Sequence, residues 1–456
     1  MHRFIRVCRF VLYLAVVLWT AAQSVLGLSQ LLGISSSNNP LYAITGSFNN
    51  PGPYGGFVAI GIAVVTAWLV KRHPIKWKDY SLIEKLITGL SLITLVLGIL
   101  VLPSTFSRAA WLALAVSMIV LSANEFNALE FLGQRRSLLV FMIIIVVALS
   151  VGAFLLKPGS ALGRLHIWRI ECLSIAEKPL CGHGAGSALV SYGETQAEFF
   201  KKKERNELTI GLAGCPEYAF NEYLKVGVEY GVPVMLGFIA VVFFSIRSLL
   251  RRRSPFGYGL IVLSVFAFFS YPFSLWQFRA IGLILIATAV PGYGRWRYLN
   301  LLTMCVAITA SIVIMVTKPK PKESIPRQLF AKGYVLHQEG KYEESNSILK
   351  EGADLSSDPM FHNIIGKNYE AMGDYEGAES EYLHAHYMVP CRLYPLILLM
   401  EMKVRRGNSA EAINYANMAI SLPVNKKNPN MVELHDRARI CVDSLRLNST
   451  LNHLLP

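Results

Sequence analysis

An alternation constrains this chain more than any other feature. Apolar stretches long enough to cross a bilayer are separated by short loops, and every second loop is basic. A helix needs about 20 apolar residues to cross ~30 Å of hydrocarbon. Nine stretches are legible, at 11–32, 54–70, 82–102, 109–121, 138–156, 223–246, 258–270, 280–291 and 299–316, the eighth being short. Basic clusters stand at the N-terminus (Arg3, Arg6, Arg9) and then after every second span: Lys71, Arg72, Lys76 and Lys78; Arg135 and Arg136; Arg247, Arg251, Arg252 and Arg253; Arg295 and Arg297. Positive charge collects at the cytoplasmic ends of spans. The pattern therefore predicts a cytoplasmic N-terminus, with the remaining loops and the whole C-terminal third external.

Composition fits a multi-pass membrane protein: 53% of residues are hydrophobic and 16% charged, with a mean hydropathy of +0.41. The net charge of +14 could suggest a nucleic-acid partner. Much of the excess sits in the loops that set orientation, so no nucleic acid is expected. The first apolar stretch is too long for a typical secretory signal and lacks a small-residue cleavage pattern, so it reads as a retained span. Seven cysteines are too few for a disulfide scaffold. Cys172, Cys181, Cys215, Cys391 and Cys441 fall on the external side, where disulfides are permitted, and the sequence leaves their pairing open. No cysteine–histidine spacing resembles a metal site, and no cofactor is expected.

The expected fold is all-α: a polytopic membrane domain over 1–317 with a long external loop at 157–221, a linker at 318–326, a soluble helical-repeat domain at 327–446 and a tail at 447–456. The linker is marked by Lys318, Pro319, Lys320, Pro321 and Lys322, a stiff and charged sequence. Beyond it the chain repeats itself. Gly340-Lys341-Tyr342 is echoed by Gly373-Asp374-Tyr375 and more weakly by Gly407-Asn408-Ser409, with Pro359, Pro390 and Pro423 near the unit ends. The step of 33 and then 34 residues resembles the tetratricopeptide repeat, a helix–turn–helix unit. Three units are near the minimum for a stable stack, because each buries its apolar face against its neighbours. Such a tail serves protein partners, not catalysis.

Two external segments of the membrane domain are dense in unusual residues. The first, 44–56, holds Gly46, Asn49, Asn50, Pro51, Gly52 and Pro53, a composition that makes tight irregular turns. The second is the long loop, and a loop of that length is uncommon unless functional or disordered. Its apolar content argues against disorder, and the spacing over 165–175 fits a helix lying along a surface. Lys201, Lys202, Lys203 and Arg205 form either a solvated face or an attraction for anionic head groups.

Arg108, at the outer mouth of the fourth span, stands out. Positive charge is disfavoured at external span ends, so it needs another reason to be there. Arg279 is placed similarly at the start of the eighth span. Guanidinium groups grip phosphate with paired hydrogen bonds and stay charged when partly desolvated. Arginines at the outer leaflet suggest a site for a lipid phosphate or diphosphate.

Taken in order, these segments resemble the O-antigen ligase and polymerase superfamily of bacterial glycan-assembly membrane proteins. The turn from Gly46 to Pro51 is similar to that family's glycine–asparagine–proline turn, and Ser107-Arg108-Ala109-Ala110-Trp111 to its arginine-bearing span start. Gly163 to Trp168, followed by Pro179 to Gly184, resembles its external-loop signature. Asn221 to Leu224 and Glu229 to Gly231 resemble its loop exit. The likeness runs from about residue 44 to 237 and continues beyond that by topology alone. Some members of the superfamily also carry a tetratricopeptide tail.

The resemblance implies transfer of a glycan from an undecaprenyl-diphosphate carrier to an acceptor hydroxyl, at the outer face of the bacterial inner membrane, without nucleotide sugar or metal. Arg108 and Arg164 match the family's functional arginines, and Arg279 joins them as a candidate for the diphosphate. One position departs from the pattern: the histidine that usually precedes the loop-exit asparagine is Phe220 here. The general base is then open among Glu222, Glu217, His166 and His183. The chain also starts closer to the glycine–asparagine–proline turn than family members usually do. An alternative from another class is a non-catalytic anchor that presents its repeats to glycan-assembly partners. A secondary transporter would show broken helices in two matching halves, and none is apparent.

Overall fold

A computed structural model describes residues 2–72, 80–125, 158–202, 207–290, 297–317, 324–424 and 428–454. The expected fifth span at 138–156, the basic residues Lys76, Lys78, Arg135, Arg136, Lys203, Arg205 and Arg295, and the Lys318–Lys322 linker lie outside the described residues. Every regular element among the described residues is helical. In chain order these are α1 (His2–Leu31), α2 (Pro51–Arg72), α3 (Leu82–Val101), α4 (Arg108–Glu125), α5 (Pro158–Glu177), α6 (Ala188–Lys202), α7 (Glu207–Leu212), α8 (Glu222–Tyr230), α9 (Val232–Arg251), α10 (Pro255–Phe269), α11 (Trp276–Ala287) and α12 (Arg297–Thr317). The tail adds α13 (Ser324–Gln338), α14 (Tyr342–Ala353), α15 (Met360–Ala371), α16 (Tyr375–Met388), α17 (Leu393–Arg405), α18 (Ser409–Ser421) and α19 (Pro429–Leu454).

Among the described residues, four helices are long and apolar enough to cross a membrane: Val7–Leu31, Pro51–Arg72, Leu82–Thr105 and Val232–Arg251. The nine expected spans are therefore not all matched. At 1.5 Å per residue, the 15 residues of α10 and the 12 of α11 rise about 22 Å and 18 Å, short of the hydrocarbon thickness. The sixth expected span, 223–246, is broken. Gly231 turns left-handed between α8 and α9, and Pro233 stands in the first turn of the new helix, so the apolar run starts at Val232. Hydropathy alone cannot register such a backbone break.

The chain divides into two compact units. One comprises Met1–Pro158, Phe220–Tyr223 and Val234–Pro321; the other comprises Gly159–Ala219, Leu224–Pro233 and Lys322–Pro456. In the first unit α2 is the central helix. It is apolar on every side, and Tyr54, Phe57, Val58, Ile60, Val64 and Val65 are fully buried. Small residues let the neighbours approach, as in membrane helix packing. A Cβ on Gly61 would lie 2.1 Å from Thr20 of α1, and one on Gly56 would lie 2.6 Å from Phe266 of α10. The outer helices behave differently: Val234, Leu236, Val241, Phe243 and Phe244 of α9 are exposed, a face suited to lipid and not to water.

Arg9, Lys71, Arg72, Arg252 and Arg253 gather at one end of this unit. Arg9 and Arg252 both donate to the carbonyl of Val290, and Arg252 also reaches that of Thr288, just past the C-terminus of α11. Cations there complement the helix dipole. Lys71 and Arg253 approach the nearly buried Glu125 carboxylate at 3.9 and 3.7 Å. Arg72 pairs with Glu84 at 3.1 Å, and Glu84 itself closes a capping box with Ser81 at the start of α3.

In the second unit, α13–α18 form three successive helical hairpins. Gly340, Gly373 and Gly407 each follow the first helix of a pair with φ of +77°, +84° and +73°, so the repeated glycine marks where each hairpin turns. Asp374 and Asn408 cap the second helix of their pairs, accepting from the Gly377 and Glu411 amides. Close packing within pairs follows from further glycines: a Cβ on Gly333 would meet Leu349, and one on Gly366 would meet Tyr382. The last hairpin continues into α19 through a core of Leu396, Leu399, Ala416, Ala419, Ala438 and Val442.

Segment 159–219 belongs to the same compact unit as these hairpins. Gln196 of α6 donates to the carbonyl of Met388, and Ser357 donates to that of Pro216 at 3.2 Å. Arg392 donates to the sulfur of Cys215 at 2.8 Å, and Ala197, Met388 and Val389 close a small apolar core. None of the seven cysteines is joined in a disulfide.

Candidate functional site

In the first unit the glycine–asparagine turn is held by two glutamines of α1. Gln30 accepts from the Thr45 and Gly46 amides at 2.9 and 2.8 Å and donates back to the Gly46 carbonyl at 3.0 Å. Gln23 accepts from the Ser47 amide and donates to the Ser47 hydroxyl. Asn50 turns its side-chain oxygen onto the Gly52 amide at 2.8 Å, so the chain enters α2 through an Asx turn. Two polar residues inside an apolar span were the available sequence signal for this support, since side chains of that kind in such helices are seldom idle.

The arginine-bearing start of α4 lies directly on this turn. Ser107 donates to the Gly52 carbonyl at 3.1 Å, and a Cβ on Gly55 would come within 2.7 Å of Thr105 and 3.0 Å of Ser107. The preceding residue, Phe106, is left-handed with φ of +47°, which turns the chain sharply out of the 3-10 helix Pro103–Thr105 and into α4. Arg108 is therefore the first residue of its helix, half-buried, beside the start of α2.

Arg279 is brought to the same neighbourhood by an aromatic cluster. Phe278, one residue before it, packs on Phe48 of the turn and Phe57 of α2 at 5.9 Å each, and stacks on Phe266 at 5.6 Å. Arg279 donates from Nη2 to the Ser274 carbonyl at 3.1 Å, while its buried Nε has no hydrogen-bond partner among the described residues. Glu222, 3% exposed, accepts from the Phe273 amide at 2.6 Å. Glu222 and Arg279 thus engage adjacent residues of one 3-10 turn, Pro272–Ser274. Phe220, where the sequence resemblance leads one to expect a histidine, meets Tyr271 edge to face at 5.5 Å, so aromatic packing fills that position.

Arg164, His166 and His183 are carried by the second unit. Arg164 is half-buried on α5. His166, 4% exposed, points Nε2 at the Gln196 carbonyl oxygen at 3.0 Å. Tyr192 donates to the same oxygen at 2.6 Å, and the Gln196 amide nitrogen reaches the carbonyls of Gly214 and Met388. Burial, with Arg169 adding to it, holds the His166 pKa below the usual histidine value. His183 directs Nε2 to the Ser174 carbonyl at 2.9 Å, near the end of α5. Both rings engage structural partners. Glu217, the remaining candidate base, is an exposed ion-pair partner of Arg327.

The loop-signature and loop-exit motifs meet here as well. His183 and Gly184 donate their amides to the Val228 and Glu229 carbonyls at 2.8 and 2.9 Å, and Val232 donates to Pro179 at 2.8 Å. The contact is backbone on backbone. A Cβ on Gly182 would lie 2.5 Å from the Glu229 carbonyl carbon, and one on Gly231 would lie 2.4 Å from the Leu180 oxygen. Only glycine fits at either position.

The arginine-bearing start of α4 and the loop motifs fall inside one family match. Residues 93–239 match the O-antigen ligase family model. The O-antigen ligase match covers about a third of the chain and contains Arg108, Arg164, His166, His183, Glu217 and Glu222. The 44–56 turn, Arg279 and the hairpins lie outside it. No curated protein matches the chain. Among solved structures, the chain is similar to the Yersinia enterocolitica type III secretion chaperone SycD, alone and in complex with a peptide of the translocator YopD. Each likeness is 26% identical with a TM-score of 0.25, covering 27% of this chain and 85% and 93% of the chaperone chains respectively.

Proposed function

We propose that this protein is a membrane glycan transferase of the O-antigen ligase and polymerase type. In this reading it sits in the bacterial inner membrane with its N-terminus cytoplasmic and its repeats outside. It moves a glycan from an undecaprenyl-diphosphate carrier to an acceptor hydroxyl on lipid A core, protein or a growing polysaccharide. The observation that carries the reading is the O-antigen ligase match, which spans the arginine-bearing start of α4 and the external segment.

The chemistry follows from the leaving group. A lipid diphosphate gains negative charge as its bond to the sugar breaks, and fixed cations lower that barrier. Arg108, Arg164 and Arg279 are the candidate cations, and the Nε of Arg279, without a hydrogen-bond partner among the described residues, is a donor suited to a phosphate oxygen. The carrier already activates the sugar, so no nucleotide sugar is required. Among Glu222, His166 and His183, Glu222 shares a unit with Arg108 and Arg279 and engages the same 3-10 turn as Arg279. It is the preferred base for the acceptor hydroxyl. The hairpins, read as tetratricopeptide-like repeats, would bind protein partners.

The packing of Phe220 on Tyr271 favours a second reading, a scaffold without catalysis, because no base stands at that position. One strain separates the two. Cells lacking the protein should accumulate lipid-linked glycan and lose the corresponding surface glycan. Complementation with E222Q keeps the oxygen that accepts from Phe273 but removes basicity, and the catalytic reading expects transfer to fall by about 100-fold or more. Full restoration by E222Q removes Glu222 as base and returns suspicion to His166 and His183. Full restoration by R108A as well would favour the scaffold.

A further inference from the structure

The second unit contains a cluster that lies outside the proposed site and that the glycan chemistry does not use. Glu194 of α6, His362 of α15 and His384 of α16 bring one ligand atom each to within 4.8 Å of one another. Glu194 Oε1 and His384 Nε2 are 3.1 Å apart, and the two imidazole rings meet edge to face at 4.5 Å. Glu381, one turn before His384 on the same helix, holds His362 Nδ1 at 2.7 Å.

We propose that Glu194, His362 and His384 bind a divalent transition-metal ion of the zinc class, which fastens helix α6 to the hairpin of α15 and α16. This goes beyond the transferase reading and does not depend on it. Imidazole nitrogen with one carboxylate oxygen is a donor set suited to zinc, and three protein ligands leave a fourth position for water. Ligand atoms around tetrahedral zinc lie about 3.3–3.5 Å apart, given bonds of about 2.0–2.2 Å. The Glu194–His384 separation already falls near that value, and the other pairs lie within 4.8 Å.

Glu381 has the part of an outer partner. A histidine bound to metal ordinarily gives its other nitrogen to a carboxylate, which fixes the ring and raises its basicity. With Nδ1 of His362 on Glu381, Nε2 is the nitrogen left for the metal. The charges also balance, since the carboxylates of Glu194 and Glu381 offset a divalent ion between two neutral imidazoles. The three ligands come from distant parts of the sequence, which is why no local spacing announces them.

The test uses the full chain in detergent, purified without a polyhistidine tag and stripped with chelator, titrated with zinc by calorimetry. The expected result is one saturable zinc per chain and a rise in thermal midpoint on binding. E381Q should weaken that site by about 10–100-fold. E194Q, at an exposed carboxylate, should weaken it without disturbing the fold, and H362A/H384A should remove it. The proposal is overturned if wild type binds no stoichiometric zinc. It is equally overturned if E194Q and H362A/H384A both bind zinc as tightly as wild type, which would place the metal elsewhere, at the free thiols for example.

Discussion

Replacing Arg108 with alanine should lower glycan transfer by roughly 100-fold, and replacing Arg164 should do so independently. Hydrogen bonds to charged groups contribute about 1.5–3 kcal/mol each, and each 1.36 kcal/mol lost from transition-state stabilisation is about tenfold in rate. Two such bonds from one guanidinium account for the magnitude. Arginine to lysine should also impair turnover, because a point charge cannot reproduce the planar fork. Initial rates in proteoliposomes, with thermal midpoints measured alongside, separate lost chemistry from lost fold. Ser107 donates the hydrogen bond to the Gly52 carbonyl, so R108A is expected to leave the α4 start seated on its turn. If R108K and R164K turn over as fast as wild type, neither arginine grips a diphosphate.

Gly231→Val should disable the protein by a different route. The residue is left-handed with φ of +83°, and its Cβ would stand 2.4 Å from the Leu180 oxygen and 2.9 Å from the Cys181 amide nitrogen. A β-branched residue is poorly tolerated in that conformation, and backbone cannot yield as a flexible side-chain tip can. The combined strain and clash should cost several kcal/mol, in the range reserved for the most damaging single substitutions, roughly 4–5 kcal/mol. The bonds from His183 and Gly184 to Val228 and Glu229 would part, and with them the joint between the two loop motifs. The expected readout is a large drop in the thermal midpoint and in the monodisperse fraction on size exclusion. Gly231→Ala should fall between. A valine variant as stable as wild type would show that the backbone contact is not what holds these motifs together.

How much of this was legible in the sequence depends on the range of each interaction. The hairpin turns at Gly340, Gly373 and Gly407 were visible because a left-handed cap is a local demand that repeats with the unit. The tight turn before α2 was visible for the same reason, through Asn50, Pro51 and Gly52. The break at Gly231 was hidden inside an apolar stretch, where hydropathy averages over the one residue that matters. His166 and His183 looked like candidate bases because a histidine in a loop carries no mark of its partner. Their partners, Gln196 and the Ser174 carbonyl, are supplied by packing. The attachment of segment 159–219 to the hairpins was illegible for that reason too, since Gln196, Met388, Cys215 and Arg392 find one another only when the chain has folded. Of the diphosphate candidates, Arg108 and Arg279 could be singled out because the alternation of basic loops puts them at expected external span ends. That they flank the start of α2 rests on Ser107, Gly55 and Phe278, whose roles are tertiary.

Transfer by the purified full chain in lipid vesicles tests whether this protein is a glycan transferase. The vesicles would be supplied with an undecaprenyl-diphosphate-linked glycan and an acceptor prepared from the same bacterium, with no nucleotide sugar present. Undecaprenyl diphosphate should be released in step with acceptor glycosylation, and R108A, still folded, should release it roughly 100-fold more slowly. Carrier that stays intact with the folded wild type, or is consumed equally by wild type and R108A, would contradict the transferase reading.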